Sequence, residues 1–179
     1  MKAVALYSGG LDSSLAAKVM MDMGIEVIAV NFRTNLCSCS SCPKHGRVST
    51  AEYINLKVES VNVIEEFMEM VRNPKYGYGK NMNPCLDCRI FTLKKAKEYM
   101  AKTGAKFVIT GEVLGQRPKS QMLHQIWTAE RDADMVGYVV RPLTALTLKP
   151  SVPEIEGWVD RSKLLGIKCR GRIEQMRLA

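Results

Sequence analysis

Three groups of residues have the types and spacing that chemistry requires. The first is Ser8-Gly9-Gly10-Leu11-Asp12-Ser13-Ser14, a turn between an apolar run and a helical pattern. Paired glycines let the backbone fold tightly and bring its N–H groups up to a ligand. A helix that starts immediately afterwards aims its positive end and free amides at the same spot, which suits an anion. Ser8, Ser13 and Ser14 add hydroxyls. Asp12 is an acid where an anion is expected, so Mg²⁺ is a better partner for it than phosphate. Two glycines alone are better explained by an ordinary helix N-cap.

The second group is Cys85 and Cys88, a C-x₂-C at the start of a helical pattern, with Cys169 81 residues further on. A helix N-terminus lowers a thiol pKa, and thiolates are what a metal or cluster needs. A redox pair and half a zinc site are rival readings. The third group is Cys37, Cys39, Cys42 and His45, spaced C-x-C-x₂-C-x₂-H. It suits a zinc site, a cluster, or a persulfide pair with Cys85 or Cys88. The six cysteines come without an export signal. In a chain of this size such clusters more often mean metal or thiol chemistry than disulfides.

These residues need elements to hold them. Residues 2–7 read as a short buried strand and 12–23 as a helix, with Leu15, Ala16, Val19, Met20 and Met23 on one face. Residues 25–31 form a second strand, giving the strand–helix–strand order of a right-handed parallel unit. A cysteine-rich loop spans 33–46, a short helix lies near 47–54 and a strand near 56–62. Ile64, Phe67, Met68 and Val71 mark an amphipathic helix. A turn-rich loop precedes a helix over 86–103. A strand at 106–110, a helix over 118–133 and a last strand in "GYVVRPL" follow. This alternation predicts a doubly wound α/β domain with a mostly parallel sheet. We expect one domain over 1–149, with residues 150–179 as a basic extension packing on or beside it.

The 179 residues carry a net charge of +8, with 46% hydrophobic and 25% charged residues. Residues 161–179 hold six basic groups against Glu174, and Arg89, Lys94, Lys95, Lys97 and Lys102 form a second cluster. Such an excess suits a polyanion, most often nucleic acid. No apolar run approaches the ~20 residues of a membrane span, and "MKAVALYSGG" does not read as a signal peptide, so a cytoplasmic location is expected.

Neither G-x-x-x-x-G-K-[ST] nor G-x-G-x-x-G occurs. "SGGLDSS" instead resembles the SGGxDS loop of the PP-loop ATP pyrophosphatases, whose fold is adenine nucleotide alpha hydrolase-like. That resemblance implies ATP held by Ser8, Gly9, Gly10, Asp12 and Ser13 with Mg²⁺, and cleavage between the α and β phosphates. It places backbone near Asn31 and Phe32 against adenine. "VITGEVLGQRPKSQ" is similar to the superfamily's second ATP segment. It implies that Thr110, Gly111 and Glu112 border the nucleotide, with Gln116, Arg117 and Lys119 near the α-phosphate or the acceptor base. "VVRPL", with Arg141, resembles an Arg-Pro-Leu element of the tRNA thiolation branch.

Cys85, Cys88 and Cys169 resemble the three cysteines with which that branch holds a [4Fe–4S] cluster. Three thiolates leave one iron open to carry sulfur. The residues at 37–45 keep zinc, or a cluster there, as an alternative. The resemblance implies an ATP-dependent tRNA uridine thiolase, with Asp12, Cys85, Cys88, Cys169 and Arg117 as catalytic residues. Its partners would be tRNA and a sulfur donor, either sulfide or a persulfide carrier, and a homodimer could share the tRNA. Two other readings stay open at this point. One is adenylation of a carboxylate or a small sulfur metabolite. The other is a non-catalytic zinc and RNA-binding module. Trp127 and Trp158 suit packing better than stacking, and His124 reads as a partly buried helix residue.

Overall fold

The computed structural model describes residues 1–34, 50–79, 82–168 and 170–179. Five strands form one parallel sheet: β1 (Lys2–Leu6), β2 (Glu26–Arg33), β3 (Val58–Asn62), β4 (Phe107–Thr110) and β5 (Val139–Val140). Their order is β3-β2-β1-β4-β5. The chain steps outward from β1 to β3, then returns to the other side of β1 with β4. That reversal makes β1 and β4 neighbours, paired from Ala3↔Phe107 to Leu6↔Thr110. In such sheets a crevice opens beyond the carboxyl ends of the strands where the order reverses. The doubly wound parallel fold is therefore the observed one.

Side chains alternate across the strands, as the two-residue period demands. Ala3, Ala5, Phe107 and Ile109 face one core, which they share with Leu15, Ala16 and Met20 of α1 (Leu11–Asp22). Val4, Val30 and Val108 face the other, with Ile90 and Leu93 of α4 (Cys85–Thr103) and Ala129 of α5 (Leu123–Asp132). The strands are apolar on both sides because helices cover both faces. Among the described residues, two further helices lie between β2 and α4: α2 (Thr50–Tyr53) and α3 (Ile64–Arg72). Phe67 of α3 is fully buried, its ring edge-on to Phe91 of α4 at 5.6 Å.

The carboxyl-terminal residues 150–179 begin with α6 (Val152–Ile155) and end with α7 (Ile173–Leu178). Val159, Leu164 and Ile167 join the α1-side core. Backbone N–H groups of Leu165 and Ile167 donate to the carbonyls of Pro142 and Leu143, at 2.8 and 2.9 Å. Lys168 then bridges Leu114 in parallel, and α7 packs on α1.

Several elements differ from expectation. The helix expected over 118–133 starts only at Leu123, because the backbone N–H of Gly115 donates to Gln121 and that of Gln121 to Arg117, closing a turn. The strand expected in "GYVVRPL" is two residues long. Arg141 turns out of it toward buried acids. Trp127 is exposed with Lys149 over its ring, so it does not fill the core, and His124 is exposed on the same helix. Cys37, Cys39, Cys42, His45 and Cys169 lie outside the described residues.

Candidate functional site

The turn after β1 is built by its own hydroxyls. Gly9 takes a left-handed φ of 74°, open to glycine without strain. Ser13 Oγ donates to the Gly10 carbonyl at 2.8 Å and lies 3.2 Å from Ser8 Oγ. Ser14 Oγ also donates to Gly10, at 3.1 Å, and lies 2.9 Å from the Tyr7 hydroxyl. From β2, the Asn31 side-chain amide donates to the Tyr7 carbonyl at 2.7 Å and fixes where β1 ends. Phe32 packs beside the α4-side core. The loop is thus locked before any ligand arrives, and α1 begins at its far side.

Against this loop sits the turn after β4. Thr110 is buried, and Gly111 lies so close to the α1 start that a methyl group on it would be 2.6 Å from the Asp12 carbonyl carbon and the Ser13 nitrogen. Only glycine permits that approach. The next turn sends Gln116 back, where its Nε2 donates to Asp12 Oδ2 at 3.2 Å. Arg172, just before α7, places Nη2 4.0 Å from the same oxygen. Asp12 Oδ1 is buried and has no hydrogen-bond partner among the described residues. An orphaned, buried carboxylate oxygen suits a divalent cation. Ser8, Gly9, Gly10, Asp12, Ser13, Thr110 and Gly111 therefore meet at the reversal point of the sheet, with Asn31 one contact behind.

The cysteine pair occupies the first turn of α4. Cys85 and Cys88 are free thiols, three positions apart, half-buried and on one side of the helix. The Cys88 N–H donates to the Pro84 carbonyl, and the Thr92 hydroxyl donates to the Cys88 carbonyl. Burial pushes the Cys88 thiol above its ordinary value, although Arg89 and Arg117 both pull it down. The expectation of a helix-lowered thiolate is thus corrected for Cys88: desolvation outweighs the favourable charges. Arg117 lies close enough for its charge to act on Cys88, which brings that residue toward the cysteines.

Sequence reasoning missed one constellation. Glu112 is buried and its Oε2 is shared: Arg89 Nη2 lies 2.8 Å away, Arg141 Nε donates at 2.9 Å and Thr110 Oγ1 at 3.3 Å. Arg141 also pairs with Glu130 of α5. Burial alone would raise the Glu112 carboxyl, but Arg89 and Arg141 hold it below its ordinary value. Burial disfavours the Arg141 charge, yet Glu112 and Glu130 hold its pKa above the ordinary one. The Arg141 of "VVRPL" was visible in the chain; its two acidic partners come from distant elements and left no local signal.

Three of the five residues in the second basic cluster are paired, and Lys94 and Lys102 are exposed. Lys95 pairs with Glu66 and Glu98, Lys97 with Asp134, and Arg89 with Glu112. Among the described residues no group of three metal-ligating side chains assembles, and no helix is long and apolar enough to cross a membrane.

Known proteins align with this geometry. Over 165 residues the chain is 31% identical to a "Probable tRNA sulfurtransferase" of Thermococcus kodakarensis, covering 92% of this chain and 41% of the relative. It is 26% identical to the tRNA-specific 2-thiouridylase MnmA of Deinococcus radiodurans, covering 86% and 47%. The chain thus spans less than half the length of these two relatives. Its fold resembles that of a 4-thiouridine synthetase solved with RNA and bound ATP (TM-score 0.57, 24% identity, 79% of this chain and 36% of that one). A predicted tRNA methyltransferase subunit of Methanocaldococcus jannaschii shares the fold at a TM-score of 0.52, 16% identity, 79% of this chain and 67% of that one. The family model of ThiI, the thiamine biosynthesis protein, matches residues 1–152, the whole stretch that carries both site loops and the cysteine helix, and the chain belongs to that family.

Proposed function

We propose that this chain carries the catalytic unit of an ATP-dependent tRNA uridine thiolase. The observation that supports it most is the junction of Gly111 with Asp12 and Ser13, which leaves a locked turn of amides beside an unpaired carboxylate oxygen. In this reading the amides and hydroxyls of Ser8, Gly9, Gly10 and Ser13 grip the triphosphate of ATP. Asp12 would hold Mg²⁺, which supplies charge neutralisation on the phosphates when bound. Thr110 and Gly111 line the other wall, and the backbone at Asn31 and Phe32 borders adenine. The uridine carbonyl oxygen attacks the α-phosphorus, and pyrophosphate leaves from the amide-lined turn. Arg117 stabilises the charge that develops there, because its fork suits phosphate. Sulfur then adds to the activated carbon of the base, and AMP departs.

Cys85 and Cys88 lie at the α4 start, the side from which that sulfur would come. Together with Cys169 they would hold a [4Fe–4S] cluster, which supplies an open iron able to carry sulfur. Two adjacent free thiols on one helical turn fit two corners of such a group. Zinc at Cys37, Cys39, Cys42 and His45 is the alternative metal assignment. The 31% identical relative is named a tRNA sulfurtransferase, and the thiouridine synthetase neighbour was solved with RNA, so tRNA is the acceptor we assign. The basic residues Arg170, Arg172 and Arg177, in α7 or just before it, would meet its phosphates.

The test is pyrophosphate release in the presence of tRNA. Asp12→Ala abolishes it in this reading, and full activity in that variant overturns the reading. Anaerobic metal analysis tests the sulfur half: close to four irons per chain, lost in Cys85→Ala, are expected. Zinc alone, with thiolation intact, overturns the cluster.

A further inference from the structure

The buried acid Glu112 has no part in the chemistry above, yet it joins the two halves of the site. On one side it follows Gly111, which abuts Asp12 and Ser13. On the other its carboxylate reaches α4, where Arg89 Nη2 lies 2.8 Å away as an ion pair and not as an aligned hydrogen bond. Arg89 directly follows Cys88. Its side chain is 16% exposed and that of Glu112 7%. A second guanidinium, Arg141, anchors Glu112 from behind and is itself held by Glu130. Two arginines and two glutamates thus cancel in charge, and the only one of them beside the cysteines is Arg89. Arg89 Nε is buried and has no hydrogen-bond partner among the described residues. Held by its ion pair with Glu112, the guanidinium keeps an unpartnered Nε, and its charge acts on the Cys88 thiol.

The geometry points to Arg89 as the group that receives an anionic sulfur donor, a hydrosulfide or persulfide anion, with Glu112 as the positioning residue that clamps it there. This rests on the thiolation reading for the donor's identity. Beside the packing of Ile90 and Leu93 on the sheet, the clamp adds a polar tie between the cysteine helix and the nucleotide loop, so that the sulfur end and the phosphate end keep a fixed separation. An arginine suits the task because its charge is permanent and its planar fork can serve an acid with one edge and a ligand with another. A free Arg89 would sample many rotamers and lose that register.

The experiment compares two alkylating reagents, iodoacetate and iodoacetamide, on the reduced full chain after iron and zinc have been removed, so that Cys85 and Cys88 are both free thiols. Both consume the same thiolate, so the ratio of their rates cancels the protonation state and reports local charge on an anion. Rates are read by mass spectrometry on the peptide carrying Cys85 and Cys88. In Arg89→Gln the iodoacetate-to-iodoacetamide ratio falls at least threefold, while the dissociation constant for ATP stays within twofold. Glu112→Asp keeps the charge but shortens the reach, and it lowers the ratio similarly. Arg89→Lys restores part of it. An unchanged ratio in Arg89→Gln overturns the assignment, as does a tenfold loss of ATP affinity at constant ratio. If Glu112→Asp does not fold, the Arg89 pair of variants still decides whether Arg89 receives the anion. Transfer of sulfur to tRNA is measured in parallel and falls at least tenfold in Arg89→Gln. Wild-type protein that shows the ratio but never thiolates tRNA would refute the thiolation reading and leave the anion site standing.

Discussion

Gly111→Ala is the sharpest test of the junction between the two loops. A methyl group there would lie 2.6 Å from the Asp12 carbonyl carbon, the Ser13 nitrogen and nearly as close to the Asp12 oxygen, at 2.7 Å. Ordinary carbon contacts sit near 3.5–4.0 Å, so the α1 start must retreat by about 1 Å. The obstacle is backbone on both sides and cannot rotate away. Overpacking of this kind costs roughly 1–3 kcal/mol. For a chain of this length, each kcal/mol lowers the melting temperature by about 2–4 °C, so a fall of roughly 4–8 °C is expected at the middle of that range. The functional loss is larger, because the phosphate site we propose would lose aligned amide donors on a displacement of about 1 Å. At least a tenfold weaker affinity for Mg–ATP is expected, equivalent to about 1.4 kcal/mol. Calorimetric titration and a thermal melt on the same preparation give both numbers. An affinity within twofold of wild type together with a melt within 1 °C, to be read against that ~2–4 °C per kcal/mol scale, would refute the close approach and the site built upon it.

Other outcomes follow from the buried charges. The Glu112 carboxyl is held below its ordinary value in the folded state, so the folded protein binds its proton more weakly than the unfolded chain does. Its stabilisation is complete above the unfolded value of about 4.3 and is lost as pH falls from there through the folded pKa. Melting temperature should therefore drop more steeply below that point in wild type than in Glu112→Gln, and parallel curves would contradict it. Arg141→Leu leaves Glu130 buried without its arginine and Glu112 with Arg89 alone, and should cost about 3–5 kcal/mol in urea unfolding. Burial and a hydrogen bond to Glu59 push the Tyr99 phenol up to about 12. An ultraviolet titration should show one step there, and Tyr99→Phe should remove it.

The strand–helix alternation, the turn after β1 and the α4 start were legible in the chain because each is local. Alanine and valine alternate within β1 and apolar residues recur at helical spacing in α1, so each segment states its own conformation. Glycines, serines and Asp12 fall within seven consecutive positions, and the C-x₂-C within four. The resemblance to the PP-loop enzymes rests on the same contiguous stretches.

What the chain alone left undecided depends on elements far apart in sequence. That Gly111 must be glycine follows only once β4 lies beside β1 and brings residue 111 against residue 12. The pairing of Arg89, Glu112, Arg141 and Glu130 joins four separate elements, so no spacing rule could announce it. The same distance effect paired two lysines of a cluster that looked free, Lys95 and Lys97, since Glu66 and Asp134 come from other helices and turns. Burial of Cys88 reversed the thiol shift that its place on a helix suggested, because desolvation is set by what packs over a residue and not by its neighbours in the chain. Local order is written in local sequence; electrostatics and close approach belong to the packed molecule, where Coulomb attraction and steric exclusion act across space.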